Sequence, residues 1–454
     1  MAAAAAAAQQ LVPCMYIFGD SLVDNGNNNN LLSLARANYR PYGVDFSGGP
    51  PGRFTNGLTV VDMLADMLGF RPPLIPAYAA AQPAAAQPSD LARGLNFASG
   101  AAGIRSETGN NLGRHYPLSE QVEHFKAAVR QMGPNASSPE RLGRCIFYVG
   151  MGSNDYLNNY FMPNYYTTAQ SYDPDAYAAD LLQEYSRQLA ALHALGARKF
   201  AVAGVGEIGC IPYELARINT QQGGGGGSGT APPATAGTGV SISLGGVGLT
   251  IGGGGGAPAN ASMSSSRTGG VQRRDQQRDR DLQQGAAGDG SGSTGGRSFP
   301  GRRSSSSTPS GRGGRWWPAR RRTGSRVWND EINSAIAIYN RGLLAMVKRF
   351  NRGQKLPGST FVFLDTVRAG RALVAGAAAH GFTVLDRGCC GVGRNNGQIT
   401  CLPMQQPCDD RSKYVFWDAF HPTEAANRIY AAMAFNSTSA ADAYPINIRQ
   451  LAAI

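Results

Sequence analysis

Five short apolar runs punctuate the chain, at residues 14–18, 94–98, 145–149, 199–204 and 361–364. Each is continuous and not alternating, the pattern of strands buried on both faces of a parallel sheet. Between them apolar positions recur at helical spacing, as in Leu118, Val122, Phe125, Val129 and Met132, or Ile332, Ile336, Tyr339, Leu343, Val347 and Phe350. This alternation of strand and helix predicts a doubly wound α/β fold. Its form would be a three-layer α/β/α sandwich around a five-stranded parallel sheet, with ligand sites at the carboxyl ends of the strands.

Residues 221–326 break the pattern with two poly-Gly runs, a Ser run at 304–307 and the basic stretch GRGGRWWPARRRTGSR. This segment holds 29 of the 60 glycines, 14 of the 42 Lys and Arg, and 4 of the 30 Asp and Glu, so +10 of the formal net charge of +12 lies within it. With few large apolar residues to bury, it cannot offset the entropy of ordering and is expected to be disordered. The remaining residues carry about +2 and read as one globular domain over 11–220 and 327–454, against the prior of roughly 150 residues per domain. A nucleic-acid-binding surface on that body has little support. The insertion follows the fourth strand, on the rim where ligand sites lie, and its composition inside a motif reads as translated intron or a faulty gene model.

No stretch approaches the roughly 18 consecutive apolar residues of a membrane span. Residues 1–10 read as the remnant of a signal peptide or a disordered start: the Ala run at 2–8, followed by Gln9 and Gln10, looks like the tail of one, without a basic region before it. Seven Cys in 454 residues are too few for a small disulfide scaffold.

Candidate chemistry clusters just beyond the apolar runs. The first leads into FGDSLVDNGNNN, placing Ser21 at a strand-to-helix turn, exposed at the sheet edge with its own N–H free for a ligand; the bland alternative is a helix cap. No G-x-S-x-G elbow is present. The second leads into NFASGAAGI, where Gly100 and Gly103 allow close backbone approach or simply make a tight turn. The third leads into GMGSND and Asn154, whose amide suits a developing oxyanion but could equally form an Asx-turn. Near the C-terminus WDAFHPTEAANRIY puts Asp418 three residues before His421, with Pro422 expected to start a helix. That spacing lets the carboxylate orient the imidazole and stabilise it when protonated. His115, His124, His193 and His380 have no carboxylate at that spacing, and His124 reads as solvated.

Taken together, these residues resemble the plant GDSL esterase/lipase family of the SGNH-hydrolase superfamily. FGDSLVDNGNNN, PYGVDF, GRFTNG, GLNFASGAAGI, YVGMGSNDY, GEIGCIP, GCCGVG and FWDAFHPTEAAN match its pattern, in order, over nearly all of 11–220 and 329–450. The resemblance implies a flavodoxin-like SGNH-hydrolase fold and a serine esterase with Ser21 as nucleophile, and Asp418 and His421 completing a triad. Gly103 and Asn154 would join the Ser21 N–H in the oxyanion hole, with Gly100 competing for the glycine's role. It implies hydrolysis of a small-molecule, lipid-borne or polysaccharide-borne acyl ester by a secreted monomer, with neither metal nor organic cofactor. The chain departs from the family in its insertion and at Val327–Trp328, where the family usually places a Cys, so Cys210 is expected to be unpaired.

Cys389, Cys390, Cys401 and Cys408 contain no C-x-x-C pair and have no His at ligand spacing, so disulfides explain them better than zinc. Sequons at Asn135 and Asn436 agree with secretion. Two competing readings are RNA binding through the Arg/Gly tract at 312–326, with Trp316 and Trp317 stacking on bases, and a catalytically idle binding protein. The intact set of Ser21, Gly103, Asn154, Asp418 and His421 argues against the second.

Overall fold

The computed structural model describes residues 10–72, 74–81, 88–221, 240–244, 247–251 and 329–454. The central sheet comprises β1 Met15–Gly19, β2 Gly94–Asn96, β3 Ile146–Gly150, β4 Lys199–Ala203, β5 Thr360–Leu364 and β6 Ala443–Tyr444, in the order β6-β5-β4-β3-β1-β2. The first five are parallel and coincide with the five apolar runs. The sixth is an addition to the expected five: it runs antiparallel on β5, Ala443 opposite Leu364 and Tyr444 opposite Phe363. Two residues long, it leaves no run in the sequence.

Strand residues alternate between two cores. Tyr16, Phe18, Phe147, Val149, Phe200 and Phe361 share one cluster, while Met15, Ile17, Ile146, Tyr148, Ala201 and Val362 share the other. The helices of the described residues include α1 Val60–Met67, α2 Leu118–Gln131, α3 Pro174–Ala194, α4 Asp330–Asn351, α5 Thr366–Ala375, α6 Glu424–Asn436 and α7 Ile448–Ala453. Phe125 of α2, Leu181 of α3 and Leu343 of α4 cover the first face; Leu64 of α1, Ala431 of α6 and Leu451 of α7 cover the second. These are the three layers that both the periodicity and the resemblance imply.

Local chemistry sets the helix starts. Thr59 and Asp62 close a capping box on α1, and Asp173 caps α3 ahead of Pro174. In two places the structure corrects the sequence reading. No helix follows Ser21; a series of turns runs on to α1, so Ser21 caps nothing. Nor does Pro422 start a helix: it bridges to Phe416, and α6 begins at Glu424 with Thr423 as its cap.

Because β2 and β3 lie on opposite sides of β1, the chain reverses direction across the sheet there, and a crevice opens above the carboxyl ends of β1 and β3. Outside the main sheet, Val384–Gly388 pairs in parallel with Tyr414–Phe416, next to a small cluster of Tyr42, Phe54, Cys389, Cys390, Cys401 and Trp417.

The chain divides into two compact units, Met1–Gly225 with Thr323–Ile454, and Gly226–Arg322. In the second, Val240–Leu244 and Val247–Ile251 pair antiparallel, a departure from the disorder expected there. Apolar residues alternate along both strands and Gly245–Gly246 separates them in sequence, which is a hairpin signal that the bulk composition hides. Expectations for residues 1–9, for the rest of the insertion, including the Arg/Gly tract, and for Val327–Trp328 lie outside the described residues.

Candidate active site

The crevice brings Ser21 and His421 together across 400 residues of sequence: Ser21 Oγ lies 2.8 Å from His421 Nε2. His421 Nδ1 lies 2.8 Å from Asp418 Oδ1 and 2.9 Å from Oδ2. Asp418 is fully buried and His421 nearly so. Burial alone would raise the Asp418 carboxyl. The His421 charge and hydrogen bonds from His421, Tyr42 and Phe420 outweigh it and hold the group below its ordinary value. An ionised Asp418 accepts from Nδ1–H, which leaves the Nε2 lone pair facing the Ser21 hydroxyl.

Asp418 is also secured through the chain around it. The backbone N–H groups of Phe420 and His421 each donate to Oδ1 at 2.8 Å, and the Tyr42 hydroxyl donates to Oδ2 at 2.5 Å. Phe54 packs against the His421 ring, with centroids 5.1 Å apart. Asn56 Oδ1 accepts from the Glu424 N–H, and Thr55 Oγ1 donates to the Pro422 carbonyl. The PYGVDF and GRFTNG stretches are therefore the scaffold on which the Asp–His segment rests.

Three turns converge from the sheet side, and buried carboxylates connect them. Asp24 Oδ1 accepts the N–H groups of Gly26 and Asn27, and its Oδ2 accepts that of Gly100. Asp155 accepts the N–H groups of Ile104 and Arg105 and the Thr108 hydroxyl. The turn carrying Gly103 is thus clamped from the Ser21 side and from the Asn154 side. Burial pushes both carboxyls up to about 6, against these hydrogen bonds. Burial does the same to Asp20, opposed by the Leu22 N–H, the His421 charge and Ser153.

These contacts separate the two glycines. The Gly100 N–H is committed to Asp24, whereas the Ser21 and Gly103 N–H groups have no acceptor among the described residues. A Cβ on Gly103 would lie 2.4 Å from Thr108 Cγ2 and 2.7 Å from Asp155 Oδ1, so only glycine fits. Asn154 Nδ2 donates one hydrogen to the Ala102 carbonyl while Oδ1 accepts from Asn158, which aims the amide across the crevice and not into an Asx-turn.

A family model of GDSL-like lipases and acylhydrolases matches residues 15–228 and 298–433. A GDSL esterase/lipase of Arabidopsis thaliana is 44% identical over 449 residues, covering 98% of this chain and 92% of its own. Another from the same plant is 39% identical over 448 residues, at 98% and 93% coverage. The chain belongs to the GDSL lipase/acylhydrolase family. Membership makes it a carboxylic ester hydrolase.

Within this GDSL hydrolase, sequence reasoning gave no role to Tyr42, Asp24, Asp155 or Phe54, although all four lie in or beside the matching stretches. An acidic residue beside a run of Gly and Asn, before it at Asp24 and after it at Asp155, was the available signal. Tyr42 offered none. His124 is also corrected: its ring stacks on Tyr78 at 4.5 Å and meets Tyr116 edge-on at 4.7 Å, so it is packed and not solvated. The zinc alternative for the C-terminal cysteines is overturned by the pairs Cys389–Cys408 and Cys390–Cys401. Cys14–Cys145 is a further disulfide and Cys210 is free.

Proposed function

We propose that Ser21 is the nucleophile of a serine esterase, with His421 as general base and Asp418 as the residue that orients it. The observation that carries this reading is the unbroken relay from Ser21 Oγ through His421 to a buried, ionised Asp418. His421 Nε2 takes the hydroxyl proton as Oγ attacks the ester carbonyl, and the oxyanion is met by the N–H groups of Ser21 and Gly103 and the free hydrogen on Asn154 Nδ2. Collapse expels the alcohol with that proton and leaves an acyl-enzyme. Water, deprotonated by His421, then adds to the acyl carbon, and the acid departs as the proton returns to Ser21. The relay lies within one chain, so a monomer suffices.

Secretion as a glycoprotein fits the same reading. The three disulfides need an oxidising compartment, and the sequon residues Asn135 and Asn436 are both exposed. No helix among the described residues is long and apolar enough to cross a membrane.

Ser21→Ala and His421→Ala are each expected to lower kcat on a short acyl ester by about a millionfold while leaving circular dichroism unchanged. A folded Ser21→Ala protein of full activity would overturn the mechanism.

A further inference from the structure

Just before the Ser21 turn, β1 outruns its neighbour. β2 ends at Asn96, opposite Ile17, whereas β1 continues to Gly19. On that side the carbonyls of Ile17 and Gly19 accept the N–H groups of Phe97 and Ser99, at 2.7 and 3.1 Å. The Gly19 N–H faces the same way, beyond the last residue of β2, where a buried donor without an acceptor would be costly. A side chain supplies the missing rung. Gln121 Oε1 accepts the Gly19 N–H at 3.0 Å, while Gln121 Nε2 donates to the carbonyls of Gly19 at 2.9 Å and of Tyr116 at 2.8 Å.

Gln121 is fully buried, on the face of α2 that also carries Leu118, Val122 and Phe125. On such an apolar stripe, a side chain that commits both amide hydrogens and its oxygen is held there by its bonds. Those bonds close a ring, because the Tyr116 N–H donates to Ser99 Oγ at 2.9 Å and the Ser99 N–H donates back to the Gly19 carbonyl. The same helical turn grips the glycine of the second strand end. Pro117 gives α2 no side-chain cap, and the first N–H of the helix, that of Leu118, donates to the Gly103 carbonyl at 3.1 Å. Leu118 and Gln121 are separated by about 4.5 Å along the axis, a spacing that the helix itself fixes.

We propose that Gln121 is a positioning residue for the oxyanion hole: with the Leu118 N–H, it sets the spacing between the Ser21 and Gly103 N–H groups. The inference rests on the serine-esterase reading, since it needs those two groups to receive the charge. Gly19 lies two residues before Ser21, so the Gln121 bonds fix where the chain enters the nucleophile turn. A donor displaced by about half an ångström from the developing oxyanion loses much of its effect.

The test is kcat and KM for ethyl butanoate and for its thiono counterpart, in which sulfur replaces the carbonyl oxygen. Sulfur is larger and its charge more diffuse, so aligned N–H donors favour the oxygen ester. Gln121→Met keeps the length of the side chain and removes all three bonds. It is expected to lower kcat on the oxygen ester by about tenfold to a hundredfold, less than outright removal of a donor, with KM within about twofold. The thionoester should lose far less, so the preference for oxygen shrinks. Gln121→Glu keeps the shape and an acceptor for Gly19 but has at most one hydrogen for two carbonyls, and should show the same pattern more weakly. Val122→Ala, a core lesion in the next position of α2, should melt lower than the parent and leave both rates within about twofold. Parental kcat in either folded Gln121 variant, equal losses on the two esters, or a raised KM with kcat unchanged would overturn the positioning role and leave the esterase reading standing. No hydrolysis by the parent, or full activity in Ser21→Ala, would remove both.

Discussion

Ser21, Gly103 and Asn154 stand beyond β1, β2 and β3 of the main sheet, whereas Asp418 and His421 come from a segment outside it. On the sheet side the turns are held by buried polar groups: Asp24 and Asp155 accept backbone N–H groups, and Asn27 Nδ2 donates to the carbonyls of Asn96 and Ala98. On the other side the segment leans on a small apolar cluster, the two-stranded pair and the disulfides Cys389–Cys408 and Cys390–Cys401. One half gains its precision from hydrogen bonds satisfied in a low-dielectric interior, where each is strong and its loss is costly. The other has little core of its own and gains its order from covalent closure, the usual remedy when burial is limited. The two halves should therefore fail differently when disturbed.

The largest effect is expected on the Asp–His side. Asp418→Asn leaves a side chain of the same shape but cannot hold Nδ1–H with a charge, so kcat should fall about 10⁴-fold with the fold intact. Tyr42→Phe removes one of the hydrogen bonds to the buried carboxylate, and a bond to a charged group is worth roughly ten- to a hundredfold. The expected loss in kcat is near the lower end, since Phe420 and His421 N–H still hold Oδ1. Steady-state kinetics on a short acyl ester measure both. A Tyr42→Phe enzyme indistinguishable from the parent would mean that the cluster carries the positioning without the phenol.

How much of this was readable beforehand follows the same division. Each of the five parallel strands is a contiguous apolar run because both its faces are buried, so local sequence suffices to find it. The residues beyond the strand ends were candidates only, each with a turn or a cap as its local alternative, and it was the resemblance of the motifs in order that joined them into one expected site. Long-range partners were not readable. Tyr42 meets Asp418 across 376 residues, and nothing near either one marks the other. Cys14 and Cys145 each stand at the head of an apolar run, and they pair only because β1 and β3 are neighbours in the sheet. Gly103 was preferred to Gly100 through the resemblance alone; that Asp24 occupies the Gly100 N–H is a contact the local sequence does not carry. Pairing of this kind belongs to the assembled structure and leaves no local periodicity.

On the sheet side, Asp155 is the residue to break. Asp155→Asn keeps the volume but turns a donor toward N–H groups or the Thr108 hydroxyl that now find an acceptor, which should loosen the Gly103 turn. Removing one oxyanion donor outright costs about 10²–10³ in kcat, and a displaced donor should cost less, roughly tenfold to a hundredfold. KM should change little, because the lost interaction is made mainly with the transition state. Kinetics on a short acyl ester, beside a circular dichroism melt, separate this from global unfolding. A raised KM with kcat unchanged would show that Asp155 serves substrate binding instead.

The smallest expected effect is a pH dependence peculiar to the sheet side. Burial raises the Asp24 carboxyl from its ordinary value of 3.8 to about 6. Between those values the folded chain keeps a proton that the unfolded chain has released, so the stability due to this group is fully present below 3.8 and is lost as pH rises through about 6. His115 and His124, whose values burial lowers, pull the opposite way, losing stability as pH falls below 6.5. The whole protein therefore mixes the two trends, and only a comparison with Asp24→Asn isolates the carboxyl. The Asn side chain bears no charge at any pH and replaces one acceptor oxygen with a donor, so the variant should melt below the parent at acid pH. As pH rises from about 5 to about 7.5 the parent loses its proton-linked stability and the variant does not, and the gap in Tm should narrow by about 2–4 °C. Scanning calorimetry on both proteins across that range measures it. A gap that stays constant would mean that Asp24 is ionised throughout, its charge stabilised by the Gly26, Asn27 and Gly100 N–H groups.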